Sequence, residues 1–352
     1  MADSASATPP AEVLDAFGSA GATTTCIPSG LINQTYAVDG PRGRFILQRL
    51  NPIFAPEVNE DIDAVTAHLG ARGMSTPTMV RTRDGHLWTR HDGHTWRAMT
   101  FVDGRTFDRA PSPAHAAQAG YLLGRFHDAM ADFDHRFKAQ RLGVHDTPRH
   151  LAHLESTLAD HGAHRLADEV TRLSAGVFEA IEQLPALSGL PERVVHGDPK
   201  ISNIIFDEDD RAVCMIDLDT VAKMALPLEL GDALRSWCNT ADAGEDCASP
   251  TFSLALFESA VRGYAASAKT LITPEETDAI VTATATIMAE LAARFAADAL
   301  TESYFGWDPT RFDTRGDHNL LRARGQLALC RSLLEQGAEA RAAVREAFDQ
   351  DA

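Results

Sequence analysis

Hydrophobic and polar positions change rhythm twice along this chain. Up to about residue 104 the apolar residues come in short runs, cut by turn dipeptides. TTCIPSGLINQTYAVDGPRGRFILQRLN predicts two strands around Asp39-Gly40-Pro41. PTMVRTRDGHLWTRHDGHTWRAMTFV predicts three more, separated by Asp84-Gly85 and Asp92-Gly93. Between these groups, PEVNEDIDAVTAHLGARG changes to helical spacing. Val58, Ile62, Val65 and Leu69 fall on one face, and Gly73 stands near the end. From SPAHAAQAGYLLGRFHDAMADF onward helical spacing dominates, and beyond about Pro250 the helices are rich in alanine. One β-patterned patch, RVVHGDPKISNIIFDEDDRAVCMIDLDT, interrupts them. The order predicts an α+β fold of two lobes. Residues 1–25 form an extension with a first helix, 26–102 a small β-rich lobe, and 103–352 a larger helical lobe with the β-patch as its floor.

That patch carries the chemistry. In HGDPKISN the polar residues are His196, Asp198, Lys200 and Asn203, held between the apolar runs around Val195 and Ile204. A buried strand pair has no need of this cluster. The five-residue step from Asp198 to Asn203 matches the H-R-D-x-x-x-x-N catalytic loop of protein kinases. The next apolar run ends at Asp217, where a metal-binding carboxylate would follow such a loop. Phosphoryl transfer needs a carboxylate to orient the acceptor hydroxyl and take its proton, a metal to neutralise charge, and cations on the phosphates. Asp198 suits the first role, and Lys200 can reach the transferring phosphate. Asn203 and Asp217 offer hard oxygen ligands for Mg²⁺. The alternative is a solvated turn with loop charges. The coincidence of Asn spacing, flanking strands and the following I-D-L-D favours the kinase loop.

Bulk properties narrow the partners. A net charge of −18 over 352 residues argues against nucleic acid or an anionic membrane as the main partner. The five cysteines are scattered, with no C-x-x-C pair, which predicts neither a disulfide framework nor a zinc cage. MADSASATPPAEVL has no basic segment followed by an apolar one, so a cytoplasmic protein is expected. The tract IVTATATIMAELAARFAADAL is interrupted by Glu290 and Arg294 and predicts a core helix, not a membrane span. His150, His153, His161 and His164 lack metal-site spacing and predict helix-surface and turn histidines.

HGDPKISN, MIDLDT and ELGDALRS together resemble the aminoglycoside phosphotransferase-like superfamily of small-molecule kinases. GLINQTYAV, FILQRLN, GDALRSWCN and ELAARF…YF resemble more narrowly its N-acetylhexosamine 1-kinase branch, over roughly residues 27 to 335. The resemblance implies a protein-kinase-like two-lobed fold, ATP and Mg²⁺ as cofactors, and phosphorylation of a small sugar, at the anomeric hydroxyl of an N-acetylhexosamine or hexose. An aminoglycoside or amino-alcohol kinase, or a non-catalytic nucleotide-binding regulator, are the alternatives.

It also implies roles for particular residues. Ser29 to Gln34 would cover the phosphates, with Gly30 and Asn33 at the β-phosphate. Protein kinases carry a phosphate-holding Lys on the third strand, but Phe45 to Leu50 has none. Arg49 is the candidate in its place, with an exposed surface arginine as the alternative. Phe45, Leu47 and Arg49 share one side of that strand and Gln48 the other. The carboxylate partner on the first long helix would be Glu60, with Glu57 and Asp61 as rivals. Hinge backbone from Thr100 to Val102 would meet adenine. Asp219 would touch a second metal or the acceptor, or support the loop, while Asp232 would anchor the following helix. Arg294 and Tyr304 would bind the acceptor sugar.

Overall fold

The computed structural model describes residues 8–27, 33–139, 143–242 and 244–349. It divides into two compact lobes. The smaller takes residues 1–104 together with two later segments, 132–141 and 216–220. The larger takes 105–131, 142–215 and 221–352. The boundary after Gly104 lies two residues beyond the position expected from sequence. The two later segments, expected in the larger lobe, fold with the smaller one.

The smaller lobe begins with helix α1 (Ala11–Ala16) and strands β1 (Thr23–Ile27), β2 (Gln34–Gly40) and β3 (Gly43–Arg49). Helix α2 (Val58–Ala71) precedes β4 (Met79–Val80), β5 (Trp88–His91) and β6 (His94–Thr100). The strands form one antiparallel sheet in the order β1-β2-β3-β6-β4, with β5 also paired to β6. One sheet face supplies Tyr36, Val38, Phe45, Leu47, Trp96 and Ala98 to a core that α1 closes with Val13, Leu14 and Phe17. The N-terminal helix is thus part of this lobe's core, not an appendage. In α2 the predicted stripe Val58, Ile62, Val65 and Leu69 is buried. Its C-terminus is a Schellman motif: Gly73, at φ +72°, donates to Gly70, and Met74 N–H reaches Leu69 O.

In the larger lobe, helices α3 (Pro113–Met130), α4 (Thr147–Asp160) and α5 (Ala167–Glu182) precede the β-patch. The patch contains β7 (Glu192–Val195), β8 (Ile204–Phe206), β9 (Ala212–Met215) and β10 (Ala222–Ala225). β7 pairs with β10 and β8 with β9, both antiparallel. Helices α6 (Leu226–Trp237), α7 (Leu254–Ala268), α8 (Pro274–Thr301), α9 (Arg315–Glu335) and α10 (Gly337–Phe348) complete it. α3 and α7 approach so closely that a Cβ on Gly120 would lie 2.0 Å from Ala260 O. α8 is long and apolar enough to cross a bilayer, but 83% of its apolar stretch is buried inside the protein. Its start is fixed by a capping box between Thr273 and Glu276. α4 and α6 both pack on it.

Candidate active site

The loop after β7 is held almost entirely by side chains of α6. Gly197 sits at φ +85°, a left-handed conformation that explains glycine between His196 and Asp198. The turn aims two successive backbone N–H groups at one carboxylate. His196 N and Gly197 N donate to the two oxygens of Glu229 at 2.8 and 2.9 Å. Trp237 Nε1–H donates to Pro199 O at 2.9 Å, and Ile201 N–H to Ser236 Oγ at 3.1 Å. Glu229 and Trp237 are fully buried. A loop pinned at four backbone points loses little further freedom when a substrate binds, as positioned chemistry requires.

Asp198 emerges from this loop with its side chain 22% exposed. Its Oδ2 accepts from Lys200 Nζ at 2.7 Å and from Asn203 Nδ2 at 3.0 Å. Its Oδ1 accepts no hydrogen bond among the described residues. Burial pushes this carboxyl's pKa up, but the Lys200 ammonium and, further back, the Arg235 guanidinium outweigh it. The group is held below the ordinary carboxylate value and is ionised at neutral pH. Asn203 Nδ2 also donates to Asp198 O at 2.9 Å. Both targets are pure acceptors, so the amide orientation is determined: nitrogen faces Asp198, and Oδ1 is left without a donor among the described residues. The loop therefore brings together one open carboxylate oxygen, one open amide oxygen and one ammonium.

Asp217, in the smaller lobe, is one of the few non-glycine residues at positive φ, at +67°. Such strain persists where its surroundings impose it and concentrates at functional loops. The residue two places on is committed differently. Asp219 is 1% exposed, and Arg97 grips it with both terminal nitrogens, Nη2 to Oδ2 at 2.8 Å and Nη1 to Oδ1. Asn33 Nδ2 donates to Oδ2 at 2.8 Å. Arg97 Nε donates to Gln48 Oε1 at 2.8 Å, and Gln48 Nε2 to Thr35 Oγ1 at 3.1 Å.

This network revises several expectations. Asp219, a substrate-binding candidate by sequence, has both oxygens occupied and ties the 216–220 segment to the sheet. Asn33, expected at a phosphate, gives its amide to Asp219 and accepts Asn51 N–H at 2.9 Å, so it braces the same segment. Arg49 lies on the sheet face that carries Phe45 and Leu47. The buried arginine on the opposite face is Arg97, paired in register with Gln48. Glu60 pairs with Lys138 rather than with an arginine of the sheet. Its rival Asp61 is buried and accepts the backbone N–H groups of Lys138 and Ala139 at 2.9–3.0 Å. Thr100 ends β6, bonded to Thr78 through backbone and side chain, and Val102 follows it outside any strand. Gly30 lies outside the described residues.

The acceptor candidates also separate. Arg294 has a side chain only 16% exposed, lying 3.8 Å from Glu290 Oε1 with its guanidinium 5.6 Å from the centre of the Phe305 ring. Its N–H groups make no hydrogen bond among the described residues. Tyr304 is 52% exposed, and its backbone N–H caps Asp298 Oδ1 at 2.8 Å. Asp232, the expected anchor of α6, accepts Arg235 Nε at 2.8 Å, and Arg235 also pairs with Glu245. Arg97, Glu229, Ser236 and Trp237 had no distinguishing sequence signal of their own, whereas Glu290 stands out as a charge within an apolar tract. Glu229, Ser236 and Trp237 do lie within ELGDALRSW, where helical spacing from Asp232 could have pointed to Ser236.

Residues 23–312 match the phosphotransferase enzyme family, APH. Homoserine kinase of Methylobacillus flagellatus is 28% identical over 222 residues, covering 62% of this chain and 65% of that protein. The chain thus matches just under two thirds of that relative's length. An aminoglycoside phosphotransferase from Alicyclobacillus acidocaldarius superposes with a TM-score of 0.60 at 20% identity, over 96% of this chain and 99% of that one. A microcompartment-associated aminopropanol kinase gives 0.62 at 17% identity, over 92% and 96%.

Proposed function

The chain belongs to the APH phosphotransferase enzyme family, and from that premise we propose that it transfers the γ-phosphate of ATP to a hydroxyl of a small polar molecule. The observation that carries this reading is the state of Asp198: ionised, pinned from behind, and with Oδ1 open. An acceptor hydroxyl donating to that oxygen is oriented for attack, and its proton passes to Asp198 as the new O–P bond forms and the γ-phosphorus bond to the bridging oxygen breaks, releasing ADP. Lys200 keeps the carboxylate charged and supplies a cation for phosphate oxygens. Asn203 Oδ1, in the larger lobe, and the Asp217 carboxylate, in the smaller, are each oxygen donors of the kind a hard divalent cation takes. When bound, such an ion, Mg²⁺ by expectation, neutralises charge on the phosphates.

For the acceptor, the stretches that resemble the N-acetylhexosamine 1-kinase branch support a free sugar phosphorylated at its anomeric hydroxyl. Arg294, a nearly buried donor with no hydrogen bond among the described residues, suits a polyhydroxyl ring. A hydroxy amino acid is the second reading, favoured by the homoserine kinases among the relatives. ATP turnover with hexoses, N-acetylhexosamines, homoserine, amino alcohols and aminoglycosides separates them. ³¹P NMR of the product should show phosphate coupled to an anomeric proton. Turnover of homoserine alone would reject the sugar. A phosphate at the 6-position would reject only the anomeric assignment. Full activity in excess EDTA would reject the role of Asn203 and Asp217.

A further inference from the structure

The chain from Asp132 to Ala139 follows α3 of the larger lobe, yet it folds with the smaller one. Its partner there is α2. At one end Asp132 pairs with Arg72, the C-cap of α2, and lies 3.3 Å from His68 Nε2 in the last turn. The Phe133 ring centre is 4.9 Å from that of His68. At the other end Lys138 pairs with Glu60, in the first turn of α2. The segment is thus a strap that runs back along the helix from its last turn to its first. Its own rings stiffen it: Phe133 stacks on His135 at 5.5 Å, and His135 meets Phe137 edge-on at 5.3 Å.

The strap converges on Asp61, which is 5% exposed. Oδ1 accepts His135 Nε2–H at 2.8 Å and Lys138 N–H at 3.0 Å. Oδ2 accepts Lys138 N–H at 3.0 Å and Ala139 N–H at 2.9 Å. Every one of these donors comes from outside the helix. Moving α2 away from the strap would strand a buried carboxylate and two backbone donors, so the two are fixed together. α2 in turn packs on β4, the edge strand of the sheet, and on the turn Leu218–Thr220. Asp217, at φ +67°, immediately precedes that turn. A residue in this conformation keeps it only where its surroundings over-determine it. Arg97 and Asn33 hold the turn through Asp219, and α2 packs against it. We propose that the 132–139 strap is a positioning element for Asp217: it fixes α2, and α2 fixes the turn beside the Asp217 carboxylate. Asp61 is the positioning residue at its centre. The inference rests on the reading of Asp217 as a metal ligand.

Amide hydrogen exchange read by mass spectrometry tests the coupling on the full chain, in wild type, Asp61→Asn and His135→Ala. Asp61→Asn keeps the shape but turns an NH₂ toward one group of donors, and His135→Ala removes a single donor. Both should speed exchange in residues 58–71 and in residues 216–220, Asp61→Asn more strongly, with the catalytic loop at 196–203 unchanged. In parallel, Mn²⁺ is titrated by EPR in the presence of a non-hydrolysable ATP analogue. Its affinity should fall about 2- to 30-fold in Asp61→Asn, the range for coupling through a packed element. Faster exchange in α2 with native exchange at 216–220 makes the strap merely structural and overturns the proposal. Faster exchange at 216–220 with native Mn²⁺ affinity overturns it too. Should Asp61→Asn fail to fold, His135→Ala decides by the same criteria. Native exchange in the variants beside normal Mn²⁺ binding by wild type overturns the strap and leaves the metal reading of Asp217 standing. A wild type that binds no Mn²⁺ with the nucleotide rejects that reading, and the proposal with it.

Discussion

Asp198 and Asp219 are both aspartates of polar motifs, 21 positions apart, yet they do opposite work. Asp198 keeps one oxygen open, is 22% exposed and shares its other oxygen with a lysine and an amide. Asp219 is 1% exposed and has both oxygens filled by Arg97 and Asn33. Each is paired with a cation, so charge neutralisation does not separate them. The difference is which lone pairs remain. An ion pair with a free oxygen on a pinned loop can act on a substrate; a buried one with donors on both oxygens is fitted to hold structure.

Substitutions break this contrast in different observables. Asp198→Asn should lower kcat by about 10²–10⁴, the range for a positioned proton acceptor, with the melting temperature and ATP affinity near native. Near-native kcat would remove Asp198 from the chemistry. Arg97→Met should instead cost about 3–5 kcal/mol of stability, because it strands a buried carboxylate. Chemical denaturation measures it, and Arg97→Met combined with Asp219→Leu should recover only part of the loss, since Asn33 Nδ2 and Gln48 Oε1 then lose their partners. No recovery at all would mean that the stranded carboxylate is not the source of the cost. Glu229→Gln lies between the two. Its amide can accept only one of the two loop N–H groups and turns an NH₂ toward the other, which costs about 1–3 kcal/mol. Stability and kcat should fall together there, whereas Asp198→Asn separates them.

How much of this could be read from the sequence depended on the range over which each feature is encoded. The stripe of α2 and the strands around Asp84-Gly85 and Asp92-Gly93 are local patterns, and they appear where the periodicity puts them. The loop from His196 to Asn203 was legible because its spacing is short and its neighbours are apolar. The burial of Arg97 against Asp219 was not. Alternation along one strand distinguishes two faces but does not say which one meets a carboxylate 122 residues later. Glu229 was hidden for a similar reason: a buried glutamate in a helix reads like any surface glutamate until the N–H groups it accepts are in place.

The smaller lobe is assembled from three separate stretches of chain. On a ribosome, its sheet strands emerge more than a hundred residues before residue 219, the counter-charge of Arg97. A nascent chain of the first 104 residues therefore carries a guanidinium that the finished sheet face buries, with Gln48 Oε1 to accept from it but no counter-charge yet. The lobe whose synthesis begins first is therefore complete only once residues 216–220 have been made, after the catalytic loop that belongs to the other lobe.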